Sequence, residues 1–419
     1  MNRLAKNSIA WIPALLLAAA CGGESGSSAE WSGTVEDSAG VRLVRNSLQP
    51  TWGEGDAWGF EEVLTIGEAA GDPDYQFGQI AGLDATSDGR ILVLDNQALH
   101  VKVFSADGVF ERTIGQGGSG PGEFGPGAAL LMVGAGDTVI VPDAGNQRVN
   151  IILLDEGEHT SFPLRFEDGI PMRWQISNSG TLVAHTRALN LPDQDAVDVD
   201  LIARKAYDGS IIDTLLTPPR GETFSFSGGL PEFHFFSPEP SWTLLNDGSF
   251  VFAMSDEFRI SVSDLDGNVR RIITMPHEDV MVSDEDKEII TGFIVRLMGE
   301  QGVPPQALDA IEQGISYEEV FPAFTQLRNG PEGSLWVQRV GIPSDMTADE
   351  RENWNPMLDQ GSDDWDVFDA DGRYLGVVTM PDRFSAFSLK GDLLYGVWRD
   401  EFEVQYAKVY RITGLSGPA

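Results

Sequence analysis

The chain holds a single cysteine, Cys21, in 419 residues, so no disulfide can form within it and no multi-cysteine metal site can be built. It also lacks a long hydrophobic run. The stretch from Ile9 to Ala20 is apolar but falls short of the ~18 residues that a spanning helix requires, and no later segment does better. Basic residues are few: 28 Lys and Arg stand against 65 Asp and Glu, giving a formal net charge of −37. A field of that sign repels polyanions, so nucleic acid is not expected as a partner. The histidines, at 100, 159, 185, 234 and 277, are scattered. None has the paired spacing of a zinc site, there is no nucleophile-elbow serine motif, and no metal or cofactor is expected.

What is present begins at the N-terminus. Arg3 and Lys6 precede the apolar run, which ends in the small residues Ala18, Ala19 and Ala20, the layout of a signal peptide over residues 1–20. The sequence Leu17-Ala18-Ala19-Ala20-Cys21 resembles the lipobox of bacterial lipoproteins, departing from it in Ala18, where Leu is more usual. That resemblance implies cleavage before Cys21, lipidation of its thiol and a place in the bacterial cell envelope, at the outer membrane, with the lipid as the only membrane contact. Residues 21–40 are then expected to carry the lipid and a flexible tether, which is Gly- and Ser-rich over Gly22 to Glu30.

Glycine is abundant, at 47 residues, and much of it is periodic. In residues 80–115, Ile80 to Ser87 leads into an Asp88-Gly89 turn, then Ile91-Leu92-Val93-Leu94. His100 to Phe104 follows, then an Asp107-Gly108 turn and Phe110 to Ile114. Asp-Gly suits a tight hairpin because both residues accept positive φ, so the unit predicts a four-stranded antiparallel meander. Its second strand is apolar on both faces, as for a strand sandwiched between neighbours. The fourth alternates, as near a rim.

The same unit recurs behind Gly136, Gly180, Gly248, Gly333 and Gly391, at spacings of 47, 44, 68, 85 and 58 residues from Gly89 onward. The two shortest approach the 40 to 50 residues of a propeller blade, and the others require insertions. Six anchors predict an all-β, six-bladed β-propeller over residues 41–415. The last unit runs out of chain before a fourth strand, while Phe60 to Gly67 resembles a rim strand with no inner strands of its own. It is expected to complete the last blade, closing the ring with strands from both ends. A helical insertion is expected over about 283–320. Ser283 caps an acidic first turn, Ile289, Ile290, Phe293, Ile294, Leu297 and Met298 follow at helical spacing, and a second helix starts at Pro304-Pro305. A weaker helical run spans Ala348 to Leu358.

The loop Gly115 to Phe124, followed by Asp143, Asn146 and Arg148, resembles the NHL-repeat propellers, with a partial second copy at Asp95-Asn96. The chain is similar to six-bladed propeller lipoproteins of bacteria, specifically over residues 60–155 and more loosely to the end. The resemblance implies a fold and an address rather than a reaction, and in such families the Asp/Asn/Arg cluster ties blade loops together. Gly115 to Gly120 spells the dinucleotide-binding fingerprint, but Pro121-Gly122 stands where its helix should begin. The acidic runs at Asp193, Asp195, Asp198 and Asp200 and at Asp363, Asp364, Asp366, Asp369 and Asp371 do not match an EF-hand loop.

Functionally, the chain reads as a binding or scaffolding module for a protein, peptide, glycan or small anion. A metal-dependent hydrolase, lactonase or lyase with its site in the central channel is the alternative. Counting back from the anchor glycines without bulges, positions seven and five residues earlier should border the channel. These are Gly82 and Asp84, Ala129 and Leu131, Arg173 and Gln175, Ser241 and Thr243, Gln326 and Arg328, Phe384 and Ala386. The ligand-binding candidates are Arg173, Gln175, Gln326, Arg328 and Asp84, a set suited to an anion rather than a cation.

Overall fold

In a computed structural model, which describes residues 30–165, 169–187, 200–221, 223–227 and 230–415, six sheets, each built on a four-stranded antiparallel meander, form a six-bladed β-propeller. Cys21 and the proposed signal and tether residues before Glu30 lie outside the described residues, as do Asp193, Asp195 and Asp198. The second strands of the six blades are Ile91–Asp95, Thr138–Asp143, Leu182–Arg187, Phe250–Met254, Leu335–Val340 and Leu393–Arg399. Each starts two residues after an anchor glycine. All six anchors have positive φ, from +62° at Gly391 to +88° at Gly89, and at Gly136, Gly248 and Gly391 an added Cβ would meet nothing within 4 Å. Backbone conformation, not space, is therefore what demands glycine there.

Burial falls outward as the polarity gradient predicts. Leu92, Val93 and Leu94 are fully buried, whereas the fourth strand of the same blade, Phe110–Ile114, has three exposed residues. Each buried side chain of this size contributes about 1.5–3 kcal/mol of transfer free energy. The cores lie between blades: Ile91, Val93 and Phe104 of the first pack with Tyr395, Val397 and Val409 of the sixth.

The ring closes as expected. Strand β3 (Gly59–Ile66), preceded by β1 (Thr34–Ser38) and β2 (Val41–Arg45), pairs antiparallel with Gln405–Thr413 as the outer strand of the sixth blade. The N-terminal segment also does something the sequence did not announce. β2 lies parallel beside Val269–Thr274, so with β1 it extends the fourth blade to six strands. β1 thus falls inside the 21–40 stretch read as tether. From β2 the chain passes along the fifth blade, where Asn46 accepts from Tyr374 N at 2.8 Å and Trp52 N donates to the Leu375 carbonyl at 2.9 Å. It then reaches the sixth through β3.

Helix α1 (Asp284–Glu300) is capped by Ser283 in a reciprocal box with Asp286, and α2 (Pro305–Gln313) follows. Their apolar faces pack on a small accessory sheet, Phe224–Ser227, Leu230–Phe235 and Ile315–Tyr317. The third helix, α3 (Ala348–Asn353), is shorter than the expected run to Leu358, because Trp354 turns extended ahead of Pro356. The up-and-down order of strands puts the accessory sheet, both helices and the 341–360 connection on one face of the ring. The anchor-glycine turns occupy the other.

Candidate functional site: the central channel

The innermost strands surround a cavity of about 520 Å³ on the ring axis, and Asp84, Arg173, Gln175, Gln326 and Arg328 all line it. It shares Gln326 and Met172 with smaller cavities of about 180 and 380 Å³ under the capped face. Toward the turn face it shares Val133, Asn178 and Lys390 with one of about 630 Å³.

Four of the twelve positions counted toward the channel do not line it. Phe384 is buried against Tyr410, with ring centroids 4.8 Å apart, in the core between the fifth and sixth blades. The reason is a β-bulge: register slips between Ala386 and Ser388, leaving Phe387 unpaired and reversing the parity of what precedes it. Ser241 and Thr243 bond to neighbouring blades instead, Ser241 accepting from Leu327 N at 2.9 Å. Gly82 abuts the Leu131 backbone, where an added Cβ would sit 2.6 Å from the nitrogen.

The polar side chains divide into two kinds. Gln175 and Asp84 are engaged by the fold: Gln175 Oε1 accepts from Leu244 N at 2.8 Å, and Asp84 accepts from Ala85 N and Val133 N at 2.8 and 2.7 Å. Lys390 Nζ lies 3.4 Å from the Asp84 carboxylate, joining the sixth blade to the first. Burial raises the Asp84 pKa, opposed by that ammonium.

The two arginines are different. Arg173 of the third blade lies over the Trp242 ring of the fourth, at 5.4 Å, and its Nη2 donates to the Leu327 carbonyl of the fifth at 3.3 Å. Arg328 lies over Trp365 at 5.5 Å and donates through Nη2 to the Ala386 carbonyl of the sixth at 2.7 Å. Arg328 Nη1 is buried without a partner. Their contacts among the described residues are thus rings and carbonyls, not carboxylates. Burial and the neighbouring charge of Arg328 bring the Arg173 pKa down to about 10; burial brings Arg328 down to about 10, with Asp359 opposing it. Both remain cations at neutral pH. Gln326, two residues before Arg328, donates toward Asp359 Oδ1 at 3.5 Å at the capped mouth.

Sequence reasoning missed Lys390, Met172 and Phe387, all at this cavity. Lys390 precedes an anchor glycine and could have been found by the same count. The other two sit at bulges, which leave no residue signature here.

The remaining candidates are structural. Asp143 is fully buried, accepting from Gly125 N, Asn146 N and Asn146 Nδ2, while Arg148 donates to the carbonyls of Ser119, Gly120 and Glu123. The cluster pins the Gly-rich loop, and no helix follows that loop. Asp200 is buried against His185 and Arg187. In the second acidic run, Asp366 pairs with Arg339, Asp371 with Arg42, and Asp369 caps a hairpin turn. Among the described residues no group of three or more His, Cys, Asp or Glu could hold a metal ion, and no helix is long and apolar enough to cross a membrane.

Comparison with known proteins agrees with this architecture. Residues 73–129 match the DUF5128 family of six-bladed β-propellers. Among curated proteins nothing matches the sequence. The fold is similar to that of a "Putative exported protein" from Bacteroides fragilis, at 13% identity and a TM-score of 0.50, covering 88% of this chain and 99% of that one. A DUF4221-family protein from Bacteroides vulgatus aligns at 10% identity and a TM-score of 0.49, covering 85% and 99%. Virginiamycin B lyase from Staphylococcus aureus aligns at 10% identity and 0.41, covering 84% and 99%. Likeness at these identities concerns fold alone.

Proposed function

We propose that this propeller is an envelope-anchored binding module, held by a lipid on Cys21, whose central channel takes a small anionic ligand between Arg173 and Arg328. One observation carries the reading: two guanidinium groups converge on one cavity and, among the described residues, neither is met by a carboxylate, inside a chain of net charge −37. Leaving a partly buried cation without a counter-charge is costly, and guanidinium is the side chain best shaped to take a carboxylate with two parallel hydrogen bonds. An arriving anion relieves that cost. The metal-dependent hydrolase alternative has less to stand on, since among the described residues Asp84 is the one carboxylate lining the central cavity and its oxygens are engaged.

The discriminating experiment is a calorimetric titration with benzoate and its neutral isostere benzamide. Benzoate should bind and benzamide should not, and Arg173→Gln and Arg328→Gln should each weaken benzoate at least tenfold. Equal behaviour of the two compounds, or unaltered benzoate binding in both variants, contradicts the reading.

A further inference from the structure

The innermost strands of the third and sixth blades each carry a bulge, and each bulge puts an apolar side chain at the cavity beside an arginine. In Ile170–Ile176 the register slips between Pro171 and Arg173, leaving Met172 unpaired directly before Arg173. In Phe384–Lys390 it slips between Ala386 and Ser388, leaving Phe387 unpaired directly after the residue whose carbonyl receives Arg328. Bulges re-aim single side chains, and they concentrate near sites. Met172 and Phe387 are 48% and 37% exposed, and both line the central cavity. A third bulge, at Ala81, places its methyl against the core between the first two blades, so bulging alone does not produce the arrangement.

The surroundings continue the theme toward the capped face. Met172 also lines the 380 Å³ cavity there, together with Met357, which is 41% exposed. Carboxylates stand at that mouth, Asp359 and Glu239, the latter paired with Arg187 at 2.8 Å, so it is Asp359 that opposes a second negative charge on anything entering.

From this juxtaposition we propose that the ligand is a monocarboxylate with an apolar body, its carboxylate between Arg173 and Arg328 and its apolar part on Met172 and Phe387, extending toward Met357. The proposal rests on the anion reading above and names the ligand class. Methionine suits the role, because its unbranched, polarizable side chain fits apolar shapes of several kinds. Two sources offer this chemistry, an acyl carboxylate and the C-terminus of an apolar peptide.

The test titrates the folded protein with acetate, octanoate, N-acetyl-Leu-Phe and the methyl ester of N-acetyl-Leu-Phe. Octanoate, N-acetyl-Leu-Phe or both should bind at least tenfold more tightly than acetate, the better one identifying the source, and the ester should lose that affinity. Met172→Gln and Phe387→Ser should each cost at least tenfold for the apolar acids while leaving acetate unchanged, with melting temperatures near that of the parent confirming the fold. If acetate binds as well as the apolar acids, or if both of these variants bind them like the parent, the ligand class is wrong while the anion site stands. If Arg173→Gln and Arg328→Gln also bind them like the parent, the anion reading falls as well.

Discussion

Arg173 Nη2 donates to the carbonyl of Leu327 at 3.3 Å, so a side chain from the third blade crosses the face of Trp242 in the fourth to reach the fifth, at the residue before Arg328. Arg328 in turn reaches the sixth blade at Ala386. The two arginines therefore span half the ring, and their charge is held at the axis by backbone carbonyls and indole faces. A carbonyl supplies a partial charge where a carboxylate would supply a full one. Among the described residues, neither guanidinium charge is therefore offset by a carboxylate.

Removing charge from the channel should stabilise the empty protein or leave it unchanged. Arg328→Met keeps the packing over Trp365 and deletes a cation whose Nη1 has no partner, so its urea midpoint should equal or exceed that of the parent while anion binding is lost. A loss of about 3 kcal/mol or more, the range for breaking a buried ion pair, would mean that Arg328 has a carboxylate partner in solution.

The pair formed by Asp200 with His185 and Arg187 should behave in the opposite way. Burial works to raise the Asp200 pKa, but the hydrogen bonds from His185 and Arg187 outweigh it and hold the value below the ordinary one. The unfolded chain then binds the proton more readily than the folded one. The contribution is present above a pH of about 4, the unfolded value, and is lost as pH falls through the depressed folded value. Asp200→Asn should cost about 3–5 kcal/mol near neutral pH and flatten the acid limb of stability measured by urea unfolding between pH 3 and 7.

Closure of the ring should be visible in truncations. A chain starting at Ala57 keeps β3 and its pairing with Gln405–Thr413, whereas one starting at Gly67 exposes the outer edge of the sixth blade. Melting temperature should fall modestly in the first and steeply in the second, with dye-binding apolar surface appearing in the second. Equal melting of the two truncated chains would deny β3 its closing role.

The anchor is tested by Cys21→Ser. In cell fractionation the variant should leave the membrane fraction for the soluble one, with an unaltered melting temperature. A variant that stays with the membranes contradicts lipid attachment at this residue.

The legible parts of this fold are those in which backbone geometry dictates a residue type. Positive φ at Gly89, Gly136, Gly180, Gly248, Gly333 and Gly391 counted the blades, the Ser283 to Asp286 box placed α1, and the polar alternation of Phe60 to Gly67 marked an unpartnered rim strand. What stayed hidden depends on distant or irregular pairing. Nothing local in Val41–Arg45 announces a parallel partner at Arg271 to Thr274. The bulge at Phe387 turns Phe384 out of the channel without a glycine or proline to mark it. The same strand count nevertheless brought Arg173, Gln175, Gln326 and Arg328 to one cavity, because the slip at Met172 lies before Arg173 and leaves the rest of its strand in phase.

The most direct measurement is a crystal soaked in bromide and examined by anomalous scattering. The expected result is an internal bromide peak in the central channel within hydrogen-bonding reach of both Arg173 and Arg328, lost in crystals of Arg173→Gln. A map with bromide only on the outer surface, and ordered water alone between the two guanidinium groups, would contradict an anion site at the centre of this propeller.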